Sequence, residues 1–212
     1  MRLRFVCDIL VNNKEGCAPQ WEEGFCLKAW QHFKTITWHR WLVRGGCFRV
    51  GLCWQGLIHD LSKYSPTEFR TGINYFQGTR SPNAAEREDK GYSEAWMHHK
   101  GRNRHHYEYW TDMNMKAGNY EAVPMPRKYL VEMVMDRRAA CMVYQGKNYT
   151  PGAELTYFDT SLEKKLMHPQ NQRELGFLLT MLRDKGEKET FRYLRRHVLR
   201  GKPFPWEESE NV

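Results

Sequence analysis

From about residue 22 to residue 199 the apolar residues recur at three- and four-residue spacing, and no stretch alternates as a half-buried strand would. That pattern restricts the chain to packed helices, so the expected fold class is all-α, a single helical bundle. The first helix starts near Glu22, carries Trp30, Phe33, Trp38, Trp41 and Leu42, and meets a stop signal at Gly45-Gly46. The tryptophans and methionines are expected as packing. A second helix is expected over residues 52–63, with Leu57, Ile58 and Leu61 as its apolar face. In Ser65-Pro66-Thr67-Glu68, Ser65 caps, Pro66 sits in the first turn where its missing N–H costs nothing, and Glu68 closes a capping box. Further helices are expected from Ser81-Pro82, over 92–99, over 103–116 and, most clearly, over 127–145, with Tyr129, Leu130, Met133, Val134 and Ala140 in the core. Two final helices, 170–185 and 187–199, bring Leu175, Leu178, Leu179, Leu182, Phe191, Leu194 and Val198. Residues 1–26 lack a sustained helical period and read as an extension or a misplaced start; 27–202 form the domain and 203–212 a tail.

With 212 residues the chain has room for one real core, and 41% hydrophobic residues exclude a disordered chain. No run approaches the roughly 20 apolar residues of a membrane span, and no small-residue cleavage site follows the short apolar start. A cytoplasmic protein with no membrane partner is therefore expected. The six cysteines are irregularly spaced without a C-x-x-C, and are expected as reduced thiols. Lys and Arg number 33 against 25 Asp and Glu, a net charge of +8, which suits a phosphorylated substrate as well as plain solubility. No basic–aromatic module of known type occurs, so nucleic acid is not expected as the partner.

Seven of the nine histidines lie between His32 and His106. His59-Asp60 is the most informative pair: an imidazole and a carboxylate together suit iron, manganese, zinc or magnesium. Adjacent residues on a helix project about 100° apart, so both reach one ion only at the helix edge. His39 lies on the preceding helix, where an antiparallel hairpin brings it alongside His59; His32, two turns earlier, is its rival. Four more histidines, His98, His99, His105 and His106, flank a glycine-containing turn. Asp136 stands among Val131, Met133, Val134 and Ala139, where a lone carboxylate is expensive unless paired or ligated. Its competitor on the same face is Glu132.

This ordered set resembles the HD-domain superfamily of metal-dependent phosphohydrolases, in which a first His, a His-Asp pair and a late Asp hold a metal inside a helical bundle. The resemblance places His39, His59, Asp60 and Asp136 as ligands, and two-metal members add histidines in the interval that His98, His99, His105 and His106 occupy. Lys63 matches the lysine often found just past the pair. The strings from Trp54 to Phe69 and from Ala95 to Trp110 more closely resemble an uncharacterised domain-of-unknown-function family, numbered 5662, over roughly residues 29–200.

The resemblance implies a phosphohydrolase acting on a small phosphorylated substrate such as a nucleotide, with one or two divalent ions held by His39, His59, Asp60, His98, His106 and Asp136. Lys63 and Arg102 or Arg104 would position the phosphate, and His99 or His105 would serve proton transfer. Two alternatives stand beside it: a di-iron oxygenase on the same kind of bundle, and a non-catalytic metal-binding module. His168 and His197 are expected as ordinary surface or core residues, and the basic stretch from Arg192 to Lys202 as a solvated helix face.

Overall fold

The computed structural model of the chain describes residues 21–209. They fold as helices joined by turns with one small hairpin, so the all-α expectation holds. The expected extension lies outside the described residues as far as residue 20. Among the described residues no helix is long and apolar enough to cross a membrane.

Helix α1 (Trp21–Val50) is 30 residues long. Its buried stripe is Ala29, His32, Ile36, His39, Val43, Cys47 and Val50, a three-four spacing that puts two histidines in line with the apolar core. Trp38 and Trp41 fall off that stripe. They stack on each other and stay 51% and 54% exposed, so the expectation that the tryptophans serve as core fails for them. Nor does α1 stop at Gly45-Gly46. A Cβ on Gly46 would lie 2.6 Å from Met135 Sδ, so this glycine lets two helices approach rather than ending one.

The expected helix over 52–63 is broken. Helix α2 (Cys53–Ile58) ends before His59, and a 3-10 turn (Leu61–Tyr64) follows Asp60. The break inverts the expected face: Leu57, Ile58 and Leu61 are 41–51% exposed, whereas His59 and Asp60 are buried. Helices α3 (Pro66–Asn74), α4 (Pro82–Lys90) and α5 (Glu94–Lys100) start where the sequence signals them. Ser65 Oγ accepts from Glu68 N at 3.4 Å, but the Glu68 carboxylate turns to His98 and His99 instead of closing a capping box.

Residues 103–116 form no helix. A turn and a 3-10 segment (Tyr107–Tyr109) lead into β1 (Thr111–Asn114), which pairs antiparallel with β2 (Asn119–Ala122), Thr111 opposite Ala122. Asn114 Oδ1 accepts from Lys116 N and Ala117 N, and Gly118 takes a left-handed φ, so local turn chemistry wins over helix.

Helix α6 (Arg127–Gln145) packs on α1 and carries Leu130, Val131, Met133, Val134, Met135 and Ala139 into the core. Helices α7 (Ala153–Thr160), α8 (Glu163–Leu166) and α9 (Pro169–Arg196) follow. Phe158, Leu175, Leu178, Leu179 and Leu194 join the same cluster, each fully buried side chain contributing about 1.5–3 kcal/mol by removal from water. Gly186, at φ 72° and ψ 177°, breaks α9 into the two helices expected on either side of it. Helix α10 (Pro205–Ser209) closes the described chain. Phe204 is fully buried and stacks on Trp206, so packing continues past the boundary expected at residue 202.

Cys47, Cys53 and Cys141 are free thiols. Cys26 is disulfide-bonded, which corrects the expectation of reduced cysteines throughout. Cys7 and Cys17 lie outside the described residues.

Candidate metal centre

The break after α2 is what builds the centre. Arg40 donates from Nε to the His59 carbonyl at 2.7 Å and from Nη2 to the Leu57 carbonyl at 3.1 Å, satisfying acceptors that an ended helix leaves open. Asp60 then takes φ 52°, which among the described residues no other non-glycine residue does, and aspartate tolerates that region better than most. Two adjacent residues that a continuous helix would splay apart are thereby both directed inward, with Asp60 fully buried.

Around Asp60 the donor atoms form two groups. His39, His59, Asp60 and Asp136 make the first, and Asp60, His99, His105 and His106 the second, the donors of each lying within 4.8 Å of one another. The two oxygens of Asp60 divide between them. Oδ2 lies 3.6 Å from His39 Nε2 and 3.4 Å from His59 Nε2, while Oδ1 lies 3.3 Å from His99 Nε2 and 3.5 Å from His105 Nε2. Asp136 Oδ1 completes the first group at 3.0 Å from His39 Nε2 and 3.6 Å from His59 Nε2. His106 Nε2 stands 2.9 Å from His99 Nε2 in the second.

Behind the histidines stand two buried glutamates. Glu132 Oε1 accepts from His59 Nδ1 at 2.9 Å and lies 3.3 Å from His105 Nδ1. Glu68 accepts from His99 Nδ1 at 2.8 Å and from His98 Nδ1 at 2.6 Å. A carboxylate on the outer nitrogen fixes the tautomer and turns the Nε2 lone pair inward. The trio His59, His105 and Glu132 is accounted for by these outer bonds. Sequence reasoning had Glu132 only as a rival to Asp136 and Glu68 only as a cap. The signal for Glu132 was its position one turn before Asp136 on the same helix face.

Donors held at about 2.0–2.2 Å by one ion sit roughly 3.0–3.6 Å from their neighbours, which is the spacing found. No donor or acceptor meets His39 Nε2, His59 Nε2, His105 Nε2, Asp60 Oδ1 or Asp60 Oδ2 at hydrogen-bond angles, although all are buried. Asp60 Oδ2 has the Lys63 ammonium beside it, and the other four atoms, converging on one place, are costly unless a ligand satisfies them. The residues therefore fit divalent metal ions, and the mixed imidazole–carboxylate set suits iron, manganese or zinc.

The electrostatics agree. Burial opposes ionisation of Asp60, but His59, Lys63 and His99 outweigh it and hold the carboxyl well below its usual range. Burial also opposes charge on Asp136, where His39, His59 and His105 prevail in the same direction. Burial works against protonation of His59, yet Asp60, Asp136 and Glu132 raise its pKa to about 10. His106 is pushed well below its ordinary value by burial and by the neighbouring His105 and His99. The buried carboxylates Asp60, Glu68 and Glu132, with the half-buried Asp136, thus demand positive charge. Lys63, 2.7 Å from Asp60 Oδ2, supplies one. A bound divalent cation would answer the rest and release the histidine protons.

Of the expected site residues, the structure brings together His39, His59, Asp60, His99, His105, His106 and Asp136, with Lys63 beside them. His98 joins neither group: its Nδ1 is taken by Glu68 and its side chain is 20% exposed, because adjacent positions on α5 diverge. Arg102 is exposed and donates to the His98 carbonyl, and Arg104 is held by Tyr129. His32 packs between Phe69 and Phe76, outside both groups. Arg137 and Arg138 pair with Glu163 and Glu187 rather than with Asp136. His168 caps α9 by accepting from Gln170 N, and His197 stacks on Tyr193.

The family described as "Family of unknown function (DUF5662)" matches residues 28–181, and the chain belongs to it. No curated protein and no solved structure matches the chain.

Proposed function

We propose that this member of the DUF5662 family is a metal-dependent phosphohydrolase with a binuclear, HD-type centre, acting in the cytoplasm on a small phosphorylated substrate such as a nucleotide. The observation that carries the reading is the division of Asp60, one carboxylate oxygen to each of two donor groups. His39, His59, Asp60 and Asp136 would hold one ion, and Asp60, His99, His105 and His106 the other. Ions held there would lower the pKa of a bound water and polarise a phosphoryl oxygen.

The chain's own residues do the remaining work. Glu132 and Glu68 keep the imidazoles in the tautomer whose Nε2 faces inward. Lys63, with its side chain 28% exposed and its ammonium on Asp60, stands where a cation can meet an incoming phosphate. His99 and His105 turn their Nε2 atoms toward Asp60, so neither is left for the expected proton transfer. Asp136 and Lys63, with side chains 16% and 28% exposed, lie on the side from which substrate would enter.

Purified protein loaded with manganese or iron is to be assayed on a panel of phosphate monoesters and nucleotides. Turnover is expected in the wild type and lost in Asp60→Asn, while Lys63→Gln keeps its metal and loses about a hundredfold in kcat/KM. Metal-loaded protein without turnover on any phosphate ester would contradict hydrolysis. The same divided carboxylate suits a di-iron oxygenase, for which oxygen consumption by the iron-loaded protein is the discriminating readout.

A further inference from the structure

Gly186 gives α9 an elbow, because φ 72° with ψ 177° is backbone that only glycine adopts readily. The elbow and the return turn after the helix frame an open, solvent-facing concavity of about 350 Å³, lined by Lys185 before the bend, by Glu189, Arg192, Arg196 and His197 after it, and by Lys202 from the turn. That size falls at the lower end of small-ligand sites, which span about 300–1,000 Å³.

The charges around the cavity are not balanced by the protein. Glu189 is tied to Arg192, and Asp184 and Glu187 nearby are tied to Arg183 and to Arg49 and Arg138. No described carboxylate pairs with Lys185, Arg196 or Lys202, which leaves three cations and the held guanidinium of Arg192 around one concavity. Like charges gathered this way repel one another, and the repulsion turns to attraction when an anion enters. A single negative charge would leave most of it uncompensated. Guanidinium forks and lysine ammonium groups both suit phosphate oxygens. The basic stretch is the solvated face expected, here bordering an open concavity, and apart from Met181 the lining lies beyond the family-matched residues.

We propose that this elbow cavity binds a short chain of linked phosphates, as in a nucleoside triphosphate or an inorganic oligophosphate, at a site separate from the metal centre. Lys185, Arg196 and Lys202 hold the outer phosphate oxygens, and Arg192, braced by Glu189, presents its fork to the middle of the chain.

The test is calorimetric titration of the full chain with inorganic tripolyphosphate, after metal removal and dialysis free of chelator. Arg196 and Lys202 are exposed, so the double variant Arg196→Gln/Lys202→Gln keeps the wild-type melting curve. One tripolyphosphate per wild-type chain is expected, weakened about tenfold or more in the double variant and also weakened by added salt. Orthophosphate should bind more weakly than tripolyphosphate, and Asp60→Asn should bind as the wild type does. Equal affinity in the double variant, loss of binding in Asp60→Asn, or no binding to the wild type would each overturn the proposal.

Discussion

Helix α6 is buried on two sides that are stabilised by different means. On one side Leu130, Val131 and Val134 share an apolar cluster with Phe158, Leu175 and Leu178 of α7 and α9, complete in itself. Toward α1 and the His59-Asp60 break the helix presents Glu132 and Asp136 to His39, His59 and His105. There the outer nitrogens of His59 and His105 face Glu132, while the Nε2 atoms of all three histidines have no hydrogen bond. The apolar side needs only the chain; the polar side gathers donors that could hold an ion. A core built the first way should respond to volume, and one built the second way to ligand.

The sharpest separation of the two sides comes from Phe158→Ala. Emptying this fully buried ring site should cost about 3–5 kcal/mol, by the same amount with and without added metal. Chemical denaturation in both conditions measures it, and a cost that shrinks on metal removal would break the distinction. A smaller effect follows from His32, which is buried on α1 yet outside both donor groups. Burial, helped by the Lys63 charge, lowers its pKa from 6.5 to about 4. The unfolded chain therefore binds the proton more readily, so the stability His32 contributes is present above pH 6.5 and is lost as pH falls toward 4. The loss totals about 3 kcal/mol, and the wild type should show that slope relative to His32→Leu. Parallel pH profiles for the two proteins would refute it. Smallest is Glu132→Gln, which keeps the shape but weakens the acceptor behind His59 and His105. Metal affinity should fall about 10–100-fold with little change in the melting of metal-free protein, as competition with a fluorescent chelator would report.

Much of the apolar side was legible in sequence, because helical period and burial report the same thing. Leu175, Leu178, Leu179, Leu182, Phe191, Leu194 and Val198 are all buried as their spacing requires, and Gly186 divides α9 where expected. The same logic misread residues 52–63. There Leu57, Ile58 and Leu61 carry a helical face that the structure leaves exposed, since the buried direction belongs to His59-Asp60 and Arg40 anchors the break. It also misread Trp38 and Trp41, whose apolar surface lies off the stripe that His32 and His39 share with the core. Residues 103–116 failed for a local reason, the Asn114 turn. The donors themselves were visible as residue types and order. The division of Asp60 and the roles of Glu68 and Glu132 depend on side-chain direction across α1, α3, α5 and α6, which spacing along one chain does not encode.

The most direct measurement is metal stoichiometry by plasma mass spectrometry on anaerobically purified protein, comparing wild type, His106→Ala and Asp60→Asn. Two ions per wild-type chain, one in His106→Ala and none in Asp60→Asn are expected if Asp60 joins the two donor groups. Two ions retained by Asp60→Asn, or none in the wild type even after reconstitution, would contradict a binuclear centre built on that carboxylate.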